Sequence, residues 1–135
     1  MFAKTPAPAA DLTHRRTLRL LAALLGYPGA ELRAALPELA DALAADTPLP
    51  RARVAELHAL VQQLAAMDPY DAEARYVETF DRGRATSLHL FEHVHGESRD
   101  RGMALVDLQQ TYERAGLYLT AAELPDHLPV VLEFA

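Results

Sequence analysis

Residues 18–43 read LRLLAALLGYPGAELRAALPELADAL. Leucine recurs in this stretch at intervals of three and four residues, the spacing that places side chains on one face of an α-helix. Gly26 and Pro28 interrupt the pattern, because glycine suits the position after a helix and proline cannot continue one. The stretch therefore predicts two helices, with a kink or a break in the second at Pro37. Their predicted inward positions are Leu18, Leu21, Ala22, Leu25, Leu32, Leu36, Leu39 and Leu43.

Several of the predicted helices follow a residue whose side chain can accept a hydrogen bond from a helix N-terminus. These capping residues are Thr13, Asp68, Ser98 and Asp126. About six or seven helices with short connections result, which favours a helical bundle of one domain. We expect residues 1–12 to form a flexible leader and residues 13–135 to form the domain.

The composition supports an all-α fold. Half of the 135 residues are hydrophobic and 24% are charged, so the chain can form a core. Alanine and leucine, both strong helix formers, predominate, whereas isoleucine and tryptophan, which favour strands, are absent. The absence of cysteine excludes a disulfide framework, a thiol nucleophile and any cysteine-ligated metal site.

Charge and hydropathy exclude further classes of protein. The net charge of −6, without a broad basic face, argues against a nucleic-acid-binding protein. The longest apolar stretch, near residues 20–25, is far shorter than the roughly 20 residues that span a bilayer. Residues 1–10 lack the apolar segment of a signal peptide. We therefore expect a cytoplasmic protein.

Three histidines lie close together in the sequence. If their segment is helical, His89 and His93 share a face at the spacing of a two-histidine metal site. The remaining ligands would have to come from His95, Glu97 or the distant His127. Because no full ligand set is evident, we predict that no metal binds and that His89 and His93 hydrogen-bond within the fold. A small metal- or nucleotide-dependent helical enzyme is the alternative, although no phosphate-binding loop spacing supports it.

Charged residues of both signs are dense between positions 81 and 101. They fit a polar site for a charged ligand or peptide, and they equally fit a salt-bridged scaffold that fixes a loop against two helices. The aromatic residues Tyr76, Phe80, Phe91 and Phe134 are typical of a helical core, and also of a groove that holds an apolar peptide. The residues alone leave both alternatives open.

Two blocks of sequence resemble a known family. Residues 76–102, YVETFDRGRATSLHLFEHVHGESRDRG, resemble the signature of the nitrate reductase delta subunits, the molybdenum-cofactor assembly chaperones of respiratory nitrate reductase. Residues 123–134, ELPDHLPVVLEF, resemble the Glu-x-Pro-Asp-His motif of the wider TorD-like family of redox-enzyme chaperones. Residues 25–28, LGYP, are similar to the end of that family's first helix. Together the resemblance spans about residues 14–134.

The resemblance implies an all-helical chaperone without catalysis or a resident cofactor. Such proteins bind the N-terminal segment of the nitrate reductase catalytic (alpha) subunit, which is like a vestigial twin-arginine signal. They hold the apo-subunit in the cytoplasm until the molybdenum cofactor is inserted and before the complex docks on the membrane. A chaperone for another molybdoenzyme is the alternative within this family.

The matched blocks also imply site residues. The expected client-peptide-binding residues are Tyr76, Phe80, His89, Glu92, His93, Asp126 and His127. The expected structural loop residues are Asp81, Arg82, Gly83, Arg99, Asp100 and Arg101. No residue is expected to act as a metal ligand.

The end of the chain predicts self-association. The family continues past the Glu-x-Pro-Asp-His motif through further helices, so we expect a chain truncated at its C-terminus. Its apolar end would then expose side chains that further helices normally cover. These are Val130, Val131, Leu132 and Phe134. Because large apolar patches drive association, we expect a symmetric homodimer or a marginally stable monomer.

Overall fold

The computed structural model describes residues 9–45, 47–120 and 123–135. Within these residues the secondary structure is helical, apart from one isolated bridge between two residues. The seven α-helices, in chain order, are α1 Ala9–Leu24, α2 Ala30–Ala44, α3 Arg51–Ala66, α4 Pro69–Phe80, α5 Leu90–His95, α6 Asp100–Arg114 and α7 Leu128–Phe134. The predicted all-α class is confirmed. No described helix is long and apolar enough to cross a membrane.

The core lies among the first three helices, where leucines pack together. Its buried members are Leu20, Leu24, Leu32, Leu36, Leu43 and Val61. The predicted inward face of α2 is confirmed, since Leu39 also packs against this cluster. The predicted face of α1 is confirmed in part, since Ala22 is buried and Leu21 packs against the cluster. Leu20 and Leu24 are buried, whereas Leu18 and Leu25 are only partly buried. Consecutive leucines create two overlapping helical stripes, and periodicity alone cannot select between them.

Several predicted helix boundaries need correction. α1 already includes Ala9, so Thr13 lies inside the helix rather than at its cap, and the leader cannot extend to residue 12. The part of the predicted leader over residues 1–8 lies outside the described residues. α2 passes through Pro37 as one helix, so the predicted break is wrong. In contrast, the Asp68 side chain accepts hydrogen bonds from the first turn of α4, as predicted.

The C-terminal helix returns to the start of the fold. α7 packs along α1, which places the end of the described chain against its beginning. Its apolar side chains are therefore partly buried, contrary to the expectation that they are exposed. The segment before α7 runs beside the start of α5, where His127 forms an antiparallel bridge with His89. This crossing brings the two family-like blocks of sequence together.

Candidate functional site

An apolar groove of about 230 Å³ lies between the end of α1, the start of α2, and helices α3 and α4. Leu60, Leu64 and Met67 form the α3 wall of the groove, and Tyr76 and Phe80 form the α4 wall. Phe91 and Phe134 do not line it. Two of the four aromatic residues that the sequence offered for a groove are therefore brought together, and two are not.

The two remaining aromatics pack elsewhere. Phe134 packs against Tyr112, with ring centroids 4.8 Å apart. Phe91 contacts His95 edge to face, with centroids 5.6 Å apart. The first contact links α7 to α6, whereas the second lies within α5, and neither residue lines the groove.

Tyr76 anchors the groove wall. Its hydroxyl donates a hydrogen bond of 2.8 Å to the backbone carbonyl of Leu25, and this contact ties α4 to the end of α1. Its ring lies 4.8 Å from that of Phe80 and meets Tyr27 edge to face at 5.6 Å. Burial, assisted by the negative charges of Asp81 and Glu123, raises the pKa of Tyr76 to about 12. The hydroxyl is therefore a neutral donor at physiological pH.

The α3 wall is fixed by a residue that the sequence analysis missed. The Arg33 guanidinium donates to the carbonyls of Leu64 at 3.2 Å and Met67 at 3.0 Å. These carbonyls lie at the end of α3, where backbone acceptors lack helical partners and attract a cation. Leu60, Leu64 and Met67 recur at helical spacing, beside the residues of α3 that face the core. This second apolar stripe is the feature of the sequence from which the groove wall could have been predicted.

A polar pocket of about 400 Å³ adjoins the groove and shares Phe80 with it. Its charged lining comprises the carboxylates Asp81, Glu92 and Glu97 and the guanidinium groups of Arg82 and Arg101. The charged residues that are dense in the sequence thus do surround one cavity. Arg101 and Glu92 face each other at 3.6 Å and join the starts of α5 and α6. Gly96 also lines this pocket with a φ of 58°, which favours glycine at the turn between these helices.

Of the expected structural loop residues, Asp81, Arg82, Gly83 and Arg101 line the pocket, whereas Arg99 and Asp100 do not. Asp81 and Arg82 are exposed directly after α4, and Gly83 follows them. Arg99 and Asp100 are exposed at the start of α6, while Arg101 is partly buried. The Ser98 hydroxyl accepts a hydrogen bond from the Asp100 backbone N–H at 3.2 Å, although the N-cap of α6 is Arg99, one residue later than predicted.

Asp126 is wholly buried beneath the pocket, with an exposed fraction of 0%. Its Oδ2 accepts a hydrogen bond of 2.9 Å from the backbone N–H of Phe91, and its carbonyl accepts one of 3.1 Å from Leu90. It therefore caps α5, which is distant in sequence, and not α7 as predicted. The N-cap of α7 is His127. Since a buried carboxylate cannot touch a ligand at the surface, the structure gives Asp126 a scaffold position among the expected client-binding residues.

The buried side chain of Tyr112 also holds the segment that contains Asp126. The Tyr112 hydroxyl donates a 2.8 Å hydrogen bond to the carbonyl of Pro125, directly before Asp126. Burial, followed by the nearby charge of Asp126, raises the pKa of Tyr112 to about 12. Helical spacing in the sequence could not reveal this polar partner.

The histidines are arranged differently from the predicted pair. His89 precedes α5 with an extended backbone, so it does not share a helix face with His93. Nε2 of His93 lies 2.8 Å from the carbonyl of Ser87, as expected for a hydrogen bond within the fold. His89 instead lies beside His127, with ring centroids 5.1 Å apart, and its Nδ1 is 3.5 Å from Oδ1 of Asp126. Burial lowers the pKa of His127, and the charge of Glu123 opposes this shift.

A family model supports the resemblance found in the sequence. Residues 26–135 match the model described as the nitrate reductase delta subunit. The chain belongs to this family. The match includes the groove wall on α4, the polar pocket and the Asp126 junction.

Individual relatives agree with the family assignment. The chain is 54% identical over 117 residues to the nitrate reductase molybdenum cofactor assembly chaperone NarJ of Escherichia coli (strain K12), covering 87% of this chain and 50% of that protein. It is 40% identical over 119 residues to a proposed chaperone of the same name from Bacillus subtilis (strain 168), covering 88% of this chain and 64% of that protein. The chain thus spans about half the length of the E. coli relative.

The fold also matches a solved structure. A crystal structure of a proposed redox enzyme maturation protein from Archaeoglobus fulgidus superposes with a TM-score of 0.60. It covers 98% of this chain and 73% of its own, at 21% sequence identity. At this identity the likeness concerns the fold alone, and it agrees with the helical architecture described above.

Proposed function

We propose that this chain acts as a dedicated cytoplasmic chaperone of respiratory nitrate reductase. It binds the apo catalytic (alpha) subunit and supports molybdenum cofactor insertion and complex assembly before membrane docking. It acts by binding and not by catalysis. Family membership and the printed function of the E. coli relative support this proposal. The observation that carries it is an open apolar groove that ends at Phe80, where a charged pocket begins.

The groove suits one end of an amphipathic peptide. We propose that the N-terminal segment of the catalytic subunit lies in the groove as a helix, with apolar side chains against Leu60, Tyr76 and Phe80. Basic residues of that segment then face the carboxylates of the adjoining pocket, and the net charge of −6 attracts them over a longer range. His89, Glu92, His93 and His127 are the polar candidates for contacts at this end of the site.

Calorimetric titration with the N-terminal peptide of the catalytic subunit tests this function. The informative variant is Leu60→Gln, because this side chain lines the groove yet is 38% exposed, so its replacement disturbs the core little. Leu12→Gln is the matched control, since Leu12 is 43% exposed on α1 and lies outside the groove. We expect saturable binding that Leu60→Gln weakens about tenfold or more, as for the loss of a buried aliphatic contact.

Two other results count against the proposal. If the Leu60→Gln and Leu12→Gln variants bind the peptide equally well, the groove is not part of the binding site. If the protein binds the corresponding segment of an unrelated molybdoenzyme equally well, nitrate reductase is not its dedicated client, and the alternative of a chaperone for another molybdoenzyme is favoured. Nuclear magnetic resonance of the bound peptide adds a separate check, because a peptide that stays extended contradicts the helix-in-groove arrangement.

Self-association of this chain stays a prediction. The exposed apolar side chains that could support it lie on α5 and α6 and include Val94, Met103 and Val106, rather than the end of α7. Light scattering over a concentration series is the measurement. A mass that stays at the monomer value of 14.8 kDa across the series contradicts the expected dimer.

A further inference from the structure

Three side chains that can bind a metal converge beside the polar pocket. One ligand atom of His89, one of Glu123 and one of His127 all lie within 4.8 Å of one another. His89 precedes α5, whereas the other two belong to the segment before α7. The set is therefore assembled by the tertiary fold, and it differs from the His89 and His93 pair that the sequence suggested.

The backbone holds the two histidines together independently of any ion. His89 and His127 form the antiparallel bridge, flanked by hydrogen bonds from Leu128 N–H to the Leu88 carbonyl at 2.8 Å and from Leu90 N–H to the Asp126 carbonyl at 3.1 Å. The backbone at both histidines is therefore already placed side by side before a ligand binds, which lowers the cost of ordering the site.

Polar atoms at this position lack partners. Among the described residues, Nδ1 of His89, Nδ1 of His127 and Oδ1 of Asp126 are buried without a hydrogen-bond partner. Unpaired buried polar atoms cost stability, so Nδ1 of His127 is available to a ligand, whereas Nδ1 of His89 and Oδ1 of Asp126 face each other. Oδ1 of Asp126 lies 3.5 Å from Nδ1 of His89, an arrangement that resembles the carboxylates that orient metal-binding histidines from behind.

The distances leave room for an ion of zinc size. Nδ1 of His127 and Oε2 of Glu123 are 4.0 Å apart, too far for a hydrogen bond. Two ligands of a tetrahedral zinc ion at about 2.0–2.2 Å lie about 3.3 Å from each other. This pair therefore has to close by about 0.7 Å, and the other pairs, all within 4.8 Å, by up to about 1.5 Å. The half-exposed Glu123 side chain is able to move, and its exposure leaves one face of the site open to water.

We propose that His89, Glu123 and His127 form a divalent metal site that prefers Zn²⁺, with the fourth position open to water. Two imidazoles and one carboxylate form a ligand set that suits this ion. The ion links the segment before α7 to the start of α5, and hence stabilises the side of the polar pocket that His89 lines. No catalysis is part of this proposal.

Titration of the chelator-treated protein with Zn²⁺ alone tests the site. We expect one equivalent to bind saturably, with a rise in melting temperature that follows the occupancy. Glu123→Gln keeps the size of an exposed side chain and should weaken binding at least tenfold. The matched control is Glu133→Gln, an exposed glutamate on α7 that lies outside the set, and it should bind as the unchanged protein does.

X-ray absorption of the zinc-loaded protein provides a second readout that needs no variant. Two histidine ligands at about 2.0–2.1 Å are expected. His14→Gln, which replaces an exposed histidine on α1, should keep both, whereas His127→Gln should lose one. The absence of saturable binding, or equal binding by Glu123→Gln and Glu133→Gln, overturns the proposal. A spectrum without histidine ligands overturns it as well, even if a variant fails to fold.

Discussion

Residues 20–64 and residues 88–128 are held together by different forces. In the first region six buried aliphatic side chains from three helices pack into one cluster. In the second region the helices meet around a buried carboxylate, Asp126, and a buried hydroxyl, Tyr112, which bind backbone groups of distant segments. The apolar groove lies between the first region and α4, whereas the polar pocket lies between the end of α4 and the second region, which also holds the proposed metal site.

This difference has a consequence for binding. Close packing spreads the stabilisation over many contacts, so the groove walls are rigid and tolerate changes at their exposed edges. At the polar junction around Asp126 and Tyr112, a few hydrogen bonds provide the stabilisation. One substitution there can therefore loosen the pocket without unfolding the core. Phe80 borders both cavities, so a ligand that occupied both would pass over this side chain.

The largest loss of stability is expected from a substitution in the leucine cluster of the first region. Leu36→Ala removes the centre of the α2 stripe, a side chain with only 3% exposure, and leaves a cavity. We expect a loss of about 2–5 kcal/mol in the free energy of unfolding, measured with urea. Leu12→Ala, at an exposed position on α1, is the control and should cost far less. A similar cost for both variants would mean that the leucine cluster does not dominate this region.

A smaller effect is expected at the polar junction. Asp126→Ala leaves the Phe91 N–H without its acceptor, and we expect a loss of about 1.5–3 kcal/mol in the free energy of unfolding. Amide hydrogen exchange should show faster opening at the start of α5 than in α2. Asp107→Ala, on the exposed face of α6, is the matched control. Uniformly faster exchange in both regions contradicts a local role for Asp126.

The same substitution at two tyrosines, one in each part of the site, allows the groove and the pocket to be compared. Tyr76 and Tyr112 each donate a 2.8 Å hydrogen bond to a backbone carbonyl, the first beside the groove and the second beneath the pocket. Replacement of either by phenylalanine should cost about 1 kcal/mol. We expect Tyr112→Phe to cost more, because Tyr112 is buried and Tyr76 is partly exposed. Urea denaturation of the two variants measures the difference, and the reverse order contradicts it.

The same tyrosines also predict that the free energy of unfolding depends on alkaline pH. Their pKa values are raised to about 12 in the folded protein, from 10.0 in the reference state. Because the folded state keeps protons that the unfolded chain releases, this contribution is complete below pH 10 and declines between pH 10 and about 12. Urea denaturation over this range should show a decline that is reduced in the Tyr76→Phe, Tyr112→Phe double variant. An unchanged decline excludes these two groups as its source.

The two regions also differ in how well the sequence predicted them. Regular spacing predicted the inward face of α2, and Asp68 before Pro69 predicted the start of α4, because both depend on local interactions. Asp126 was predicted as a local cap, yet its partner Phe91 is 35 residues away. His89 was placed on a helix and instead pairs with His127 across the fold. Periodicity carries no information on such long-range polar partners, so the candidate metal site became evident only in the structure.

The central claim is that the groove and the pocket bind one client segment across Phe80. The most direct test is a titration of isotopically labelled protein with the N-terminal peptide of the nitrate reductase catalytic subunit, followed by nuclear magnetic resonance. We predict that the amide signals that shift belong to both cavities, from Leu60 and Met67 on one side to Gly83 and Gly96 on the other. Shifts confined to the exposed face of α6 around Met103 and Val106, or no saturable shift at all, would contradict the account.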